Sequence, residues 1–366
     1  MSQMRTVVIG GYGNFGARIC RALCADPDIQ VIAAGRAPDP VFLPQIRAAK
    51  LDLRSPDFAA DLKRLSPDVV IHCAGPFQAQ DYRVANAALA AGANYMDLAD
   101  GRAFVNGFPR EFASPARDSR LLMISGASTV PALSSAVVDA LLARFTQIEE
   151  IQMYIAPGQR APRGTATVAG VFSYAGKPLK WLRDGQWRNA WGWQELTRVD
   201  VAGLGGRWAA ACDIPDLDLF PARYPGVRTV GFRAALELGI QHFALWFAAA
   251  LRRSGMPLPI ERAAPLLTRV ASLLDYFGSE RGGMLVSLTG IGSEGSKIRV
   301  DWHLTADASH GPEIPCMAAI LIARKLARGQ IAARGAFVCM GFLNLAEFEA
   351  EFARWRISTV IKEGPA

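Results

Sequence analysis

The chain has no C-x-x-C pair and no His/Cys cluster at zinc spacing; its six cysteines (20, 24, 73, 212, 316 and 339) are scattered. No metal site is therefore expected, and cysteines in apolar settings read as buried, reduced thiols. Four histidines in 366 residues are too few to triangulate a catalytic constellation. Long apolar runs are missing as well. The longest strongly apolar, charge-free stretch is residues 238–251, short of the roughly 20 residues a bilayer span needs. The first strand starts within a few residues of Met1 and leaves no room for a signal peptide. A cytoplasmic protein is expected, without membrane association. The net charge of +7 favours anionic ligands. No Lys/Arg run is interleaved with stacking aromatics, so nucleic acid is not the expected partner.

What is present begins with Thr6-Val7-Val8-Ile9-Gly10-Gly11-Tyr12-Gly13-Asn14-Phe15-Gly16. A β-branched run stops at a glycine cluster, and a helix opens with Ile19, Cys20, Leu23 and Cys24 on one face. The glycines read in two registers, Gly11/Gly13/Gly16 as G-x-G-x-x-G and Gly10/Gly13/Gly16 as G-x-x-G-x-x-G. Strand, tight turn and helix N-terminus are the parts of a dinucleotide-binding βαβ start, where helix N–H groups face a pyrophosphate. The pattern predicts cofactor contacts from Gly10, Gly11, Tyr12, Gly13, Asn14, Phe15 and Gly16.

The second strand, residues 30–36, lacks the acid that NAD-specific folds carry at its end to hold the ribose hydroxyls. Gly35 and Arg36 stand there instead. A carboxylate repels a 2′-phosphate, whereas a guanidinium pairs with it, so the expected cofactor is NADP. The bland alternative for Arg36 is a solvated surface charge. Residues 50–54 read as the third strand, with Asp52 either near the adenine side or capping the next helix. Residues 68–77 read as a fourth strand that ends in Gly75-Pro76. Ala74, Gly75 and Pro76 are expected at the cofactor, because strand carboxyl ends line the crevice. His72 reads as a core histidine. The fifth strand lies near residues 94–98 and the sixth near 121–124, before a helix from Pro131 to about Ala143. Six strand–helix repeats with short links predict an α/β fold with a doubly wound parallel sheet.

From Ile148 the pattern changes to period-2 alternation, as in residues 150–155, 227–232, 284–288 and 298–303. An inserted α+β substrate/dimerisation domain is predicted, mostly antiparallel, with helices on one face. The expected boundaries are residues 1–146 plus 311–331 for the nucleotide-binding domain, and 147–310 plus 332–366 for the second. The run from Leu238 to Phe247, followed by Arg252 and Arg253, also fits an interfacial helix. Burial in the second domain accounts for it at less cost.

These stretches together resemble the saccharopine dehydrogenase (saccharopine reductase)-like family over nearly the whole chain. The resemblance rests on Gly10–Gly16, on residues 69–77, on Gly92-Ala93-Asn94-Tyr95-Met96-Asp97-Leu98, on residues 126–133 and on His310-Gly311-Pro312-Glu313-Ile314-Pro315. It implies an NADP-binding Rossmann domain interrupted by a substrate domain. It also implies hydride transfer to an imine or related bond of a small molecule, and a homodimer built on the second domain. Ala99-Asp100-Gly101-Arg102 stands where relatives often have Gly-Glu, and Ser128-Thr129-Val130-Pro131 where they tend to have Asp-Pro-Gly. The departures argue against saccharopine itself as substrate.

Hydride chemistry needs a proton donor within hydrogen-bond reach of the nascent amine or alcohol, in the cleft expected between domains. Asp97 and Asp100 are the expected catalytic pair, with Tyr95, His310 and Glu313 as further candidates. Capping is the competing role for such aspartates. Arg160, Arg163 and Lys177 read as anion ligands or solvated charges. The competing class of function is a non-catalytic NADP(H)-binding or sensing protein.

Overall fold

The computed structural model describes residues 3–39 and 45–366, in two compact units of residues 1–133 with 313–343 and of residues 134–312 with 344–366.

The chain enters the first unit through β1 (Met4–Ile9), α1 (Gly16–Leu23), β2 (Ile29–Gly35) and β3 (Arg47–Lys50). It continues through α2 (Phe58–Arg64), β4 (Val69–His72), α3 (Arg83–Ala90), β5 (Asn94–Asp97), α4 (Arg102–Asp118) and β6 (Leu122–Ser125). β4 and β6 are buried at every position, as strands covered on both faces must be. In α1 the buried side is Gly16, Ala17, Ile19, Cys20 and Leu23; of the anticipated stripe only Cys24 falls outside it, as the half-buried residue that caps the helix. α4 lays Phe104, Phe108 and Phe112 along one face, where Tyr82 and Tyr95 pack against them. The third strand lies at 47–50, earlier than the expected 50–54. There Asp52 makes a turn instead, accepting from the Arg54 N–H at 3.0 Å.

The second unit follows with α5 (Ser134–Leu141), β7 (Phe145–Ala156), α6 (Thr165–Tyr174), β8 (Pro178–Arg183), β9 (Gln186–Trp191), β10 (Thr197–Val201) and β11 (Gly205–Ala211). Then come α7 (Asp216–Arg223), β12 (Thr229–Ala234), α8 (Gly239–Arg253), α9 (Ala264–Leu273), β13 (Gly282–Gly292) and β14 (Lys297–Ala306). The chain returns to the first unit with α10 (Ile314–Ala327) and β15 (Gly335–Val338) and ends in the second with α11 (Leu345–Phe352) and β16 (Ile357–Pro365).

The first sheet runs in the order β15-β6-β5-β4-β1-β2-β3, with every pairing parallel. It is the doubly wound, Rossmann-like sheet, with one strand more than anticipated. Gly335–Val338 had been expected in the second domain. It pairs instead with β6 because an apolar four-residue segment can cover that otherwise open edge. The second sheet follows β10-β11-β12-β7-β13-β14-β16, with β8 and β9 as a side hairpin on β12. β7 alternates as expected, and pairs antiparallel with β13 but parallel with β12. One face of this sheet is apolar, through Met153, Val286, Leu288, Val300 and Trp302, and buried.

Within the second unit α5 and α7 are joined by polar contacts. The Ser134 hydroxyl donates to Asp216 Oδ1, and Asp139 accepts from Arg223 and from the Tyr224 hydroxyl. Asp216 is fully buried, its Oδ2 has no hydrogen-bond partner among the described residues, and burial pushes its pKa up to about 7.

Candidate functional site

The turn after β1 is built by backbone crowding. Gly10 sits at φ +79°, and a Cβ there would lie 3.1 Å from the Ala74 nitrogen. At Gly11 a Cβ would lie 2.9 Å from the Val8 carbonyl, and at Gly16 only 2.2 Å from the Gly10 carbonyl. The Gly13 N–H closes the turn on the Gly10 carbonyl at 2.9 Å. The glycines thus hold α1 against β1 and the exit of β4 against both. Cys73 donates to the Ile9 carbonyl at 2.8 Å, which brings the Ala74-Gly75-Pro76 segment beside the turn. The Gln80 amide ties down the Ala74 and Pro76 carbonyls at 2.6 and 2.9 Å.

Tyr12 folds over the end of β2. Its hydroxyl donates to the Ala33 carbonyl at 3.0 Å, and its ring occupies the space a Cβ at Gly35 would need. Glycine at 35 is thereby explained by packing. Arg36, the next residue, is exposed and makes no hydrogen bond or ion pair among the described residues.

Two features of this site escaped sequence reasoning. Arg18 on α1 donates to the Asn14 carbonyl and side chain at 2.7 and 3.0 Å, and pairs with Glu313 at 2.8 Å. The Cys316 thiol donates to the Phe15 carbonyl at 3.5 Å. The returning α10 therefore braces the glycine turn from a point some three hundred residues later in the chain. An arginine and a glutamate so far apart carry no pairing signal, although Glu313 itself was a candidate.

The catalytic candidates separate sharply. Asp97 is fully buried; its Oδ1 accepts from the Ala99 N–H (3.0 Å), the Ser125 hydroxyl (3.0 Å) and the Gly126 N–H (2.8 Å). Burial raises its pKa to about 6, against the pull of the Gly126 and Ala99 amides and the Ser125 hydroxyl. Asp97 thus ties the ends of β5 and β6 together, a structural use of the carboxylate. Tyr95 is equally buried, its hydroxyl 3.2 Å from His72 Nδ1, and burial lowers the His72 pKa to about 4, leaving that ring neutral. Asp100 is partly buried, accepts from the Gln78 amide at 3.0 Å, and has its pKa raised by burial.

In the second unit, His310 Nδ1 accepts the Arg356 N–H at 3.1 Å and the ring stands edge-on to Trp355. Arg163 pairs with Asp275, Lys177 with Glu261, and Arg160 with the Asp275 and Tyr276 carbonyls. These cations are committed within their own unit. Among the described residues no group of His, Cys, Asp or Glu is arranged to hold a metal ion, and no helix is long and apolar enough to cross a membrane.

A seven-stranded parallel sheet whose first strand turns on crowded glycines into a helix defines a dinucleotide-binding α/β protein. Residues 6–149 match the family model described as the saccharopine dehydrogenase NADP binding domain. The match supports an NAD(P)-binding domain of the dehydrogenase type over that stretch. Among curated proteins no sequence matches it.

Two solved structures share its fold. Apo saccharopine dehydrogenase (L-Glu forming) from Saccharomyces cerevisiae superposes with a TM-score of 0.67 at 11% identity, covering 99% of this chain and 100% of its own. Homospermidine synthase from Legionella pneumophila, in complex with NAD, superposes with 0.64 at 10% identity, covering 98% and 91%.

Proposed function

We propose that the chain is an NADP(H)-dependent oxidoreductase that transfers hydride to or from an imine or carbonyl of a small, amino-acid-derived substrate. It works in the cytoplasm as a homodimer built on the second unit. The observation that carries the reading is the glycine turn, crowded at Gly10, Gly11 and Gly16 and followed by an exposed, unpaired Arg36.

The residues fit the cofactor. The N–H groups of Gly11 and Gly13 already donate to the Ala34 and Gly10 carbonyls and hold the turn in shape, so the pyrophosphate would lie at the start of α1 against the N–H groups of the Tyr12, Asn14, Phe15 and Gly16 stretch. Arg36 takes the 2′-phosphate, and Asp52 with Ala74, Gly75 and Pro76 lines the remaining edge. When bound, the nicotinamide supplies the hydride. The chain's own part is to orient the cofactor and to hold a proton nearby, and Asp100 is the residue for that. Asp100 is partly buried, whereas Asp97 is fully enclosed and positions the strand ends. A raised pKa keeps more of the Asp100 carboxyl protonated near neutrality than a free aspartate would be.

Arg36→Ala is expected to weaken NADPH binding about tenfold to hundredfold, the usual worth of a charge-assisted hydrogen bond, while NADH binding stays put. Fluorescence titration with both cofactors reads this. Equal weakening of the two would remove Arg36 from the 2′-phosphate. A panel of carbonyl and amine pairs, scored by loss of NADPH absorbance, tests turnover. On any active pair Asp100→Asn is expected to lower kcat about a hundredfold with the NADPH affinity retained.

One observation favours a second reading. Of the candidates at the first-unit strand ends, Tyr95, His72 and Asp97 are buried and engaged, which leaves Asp100. A non-catalytic NADP(H) sensor is the result if the whole panel stays inert while NADPH binds tightly.

A further inference from the structure

We propose that the outer face of α8 and α9 seats the second unit on an anionic lipid surface. The run from Leu238 to Phe247 was expected to be buried, yet α8 buries only His242 and Ala249 outright. Ile240, Phe243 and Phe247 form an exposed stripe on it, Ile240 at 72% exposure. On α9 the exposed stripe is Leu266, Val270 and Leu273, the last at 77%, and Tyr276 at 82% and Phe277 continue it. The Gln241 amide donates to the Ala271 carbonyl at 3.3 Å, so the start of α8 adjoins the end of α9 and the two stripes meet. The opposite sides of these helices already have a core. Leu245 and Ala248 pack with Phe172, Ile260 and Ala264. The outward side chains contribute nothing to it, and so many large apolar groups on one face mark an interaction surface.

Charge selects the occupant. Residues 238–277 contain four arginines and two acids, Glu261, held by Arg252 at 2.7 Å and Lys177 at 3.3 Å, and Asp275, held by Arg163. Arg253, Arg262 and Arg269 are exposed and make no ion pair among the described residues; Arg253 only stacks on Trp191, 5.1 Å from its ring centre. The next exposed acid, Glu280, lies past the Tyr276–Phe277 turn. A second copy docked on this face through a two-fold axis would set these arginines against one another. An anionic headgroup layer attracts each of them, by about fivefold in binding per arginine. The aromatic rim agrees: exposed Trp208, edge-on to Phe243 at 5.9 Å, and Tyr276 are amphipathic rings of the kind that sit at headgroup level. α8 spans 15 residues, which suits a helix lying in the interface plane rather than crossing it.

The test is flotation of the purified full-length protein with vesicles of phosphatidylcholine alone, or containing about one-third phosphatidylglycerol. Binding is expected to the anionic vesicles, to weaken in high salt, and to be much lower on phosphatidylcholine. Arg262→Glu with Arg269→Glu is expected to reduce binding at least tenfold, and Phe247→Glu with Leu273→Glu to remove it. All four positions are exposed, so circular-dichroism melting curves that match wild type keep the variants interpretable. A protein that floats with neither vesicle overturns the proposal, as does binding indifferent to these substitutions. Sedimentation as a dimer that the Phe247/Leu273 glutamates dissociate, without flotation, assigns the face to a second copy instead.

Discussion

Gly16→Ala is expected to abolish NADPH binding and to destabilise the first unit at the same time. The added Cβ would lie 2.2 Å from the Gly10 carbonyl oxygen, 2.7 Å from its carbon and 2.9 Å from the Gly11 Cα, all of them backbone atoms. No rotamer change relieves such contacts, so α1 must withdraw from the turn. Withdrawal breaks the 2.9 Å bond from the Gly13 N–H to the Gly10 carbonyl and moves the helix N-terminus off the anion position. Overpacking of this kind costs about 1–3 kcal/mol in stability, and the cofactor affinity is expected to fall at least a hundredfold, on the order of 3 kcal/mol. Gly364→Ala, whose Cβ would meet nothing within 4 Å, is the matched control and is expected to be neutral. Urea unfolding and an NADPH fluorescence titration on both variants decide the matter. Wild-type NADPH affinity in Gly16→Ala would remove the turn from the cofactor site, whatever happened to stability.

The second large effect is a pH dependence centred on Asp216. Its folded pKa is raised from 3.8 to about 7 because the carboxylate is buried with one oxygen unpartnered. A raised folded pKa means that the native state binds the proton more tightly than the unfolded chain does. Its stabilising contribution is complete below about pH 4 and declines as the pH rises toward 7. The gap between 3.8 and about 7 corresponds to roughly 4 kcal/mol. Asp216→Asn keeps an acceptor for the Ser134 hydroxyl but cannot ionise. The stability difference between variant and wild type is therefore expected to move in the variant's favour by several kcal/mol between about pH 4 and pH 8. Urea midpoints across that range measure it, and parallel profiles for the two proteins would refute it. Asp97, raised to about 6, contributes with the same sign over a narrower window and leaves a residual slope in the variant.

Much of the first unit could be read from its residues because parallel strands buried on both faces are uninterrupted apolar runs ended by glycine. Val69 to His72 and Leu122 to Ser125 are of that kind. β3, with the sequence Arg-Ala-Ala-Lys, has only Ala49 buried, so its position was misjudged by a few residues. β15 is four residues long and lies far from its partner in sequence, and nothing local marks it as belonging to the first sheet. In the second unit alternation revealed the strands but not their directions. The parallel pairing of β7 with β12 is set by the path of the intervening chain, to which a period of two is blind. At the site, the glycine turn was legible since its steric demands are local. The roles of Asp97 and Asp100 were not. Both stand at the exit of one strand, and only the packing of Ser125 and Gly126 against the former separates a fully enclosed carboxylate from a partly buried one.

The edge position of β15 has a consequence for biosynthesis. The nucleotide-binding sheet lacks its last strand, and the Arg18–Glu313 brace, until the ribosome has passed residue 338. Until then β6, buried at all four positions in the finished protein, has an unpaired and apolar edge. The second unit waits longer still, because α11 and β16, the latter paired along β14, are the last elements made. A nascent chain of this kind is a natural client for chaperones that shield open strands, and its yield on expression will follow the speed with which the last thirty residues of the sheet-forming region emerge.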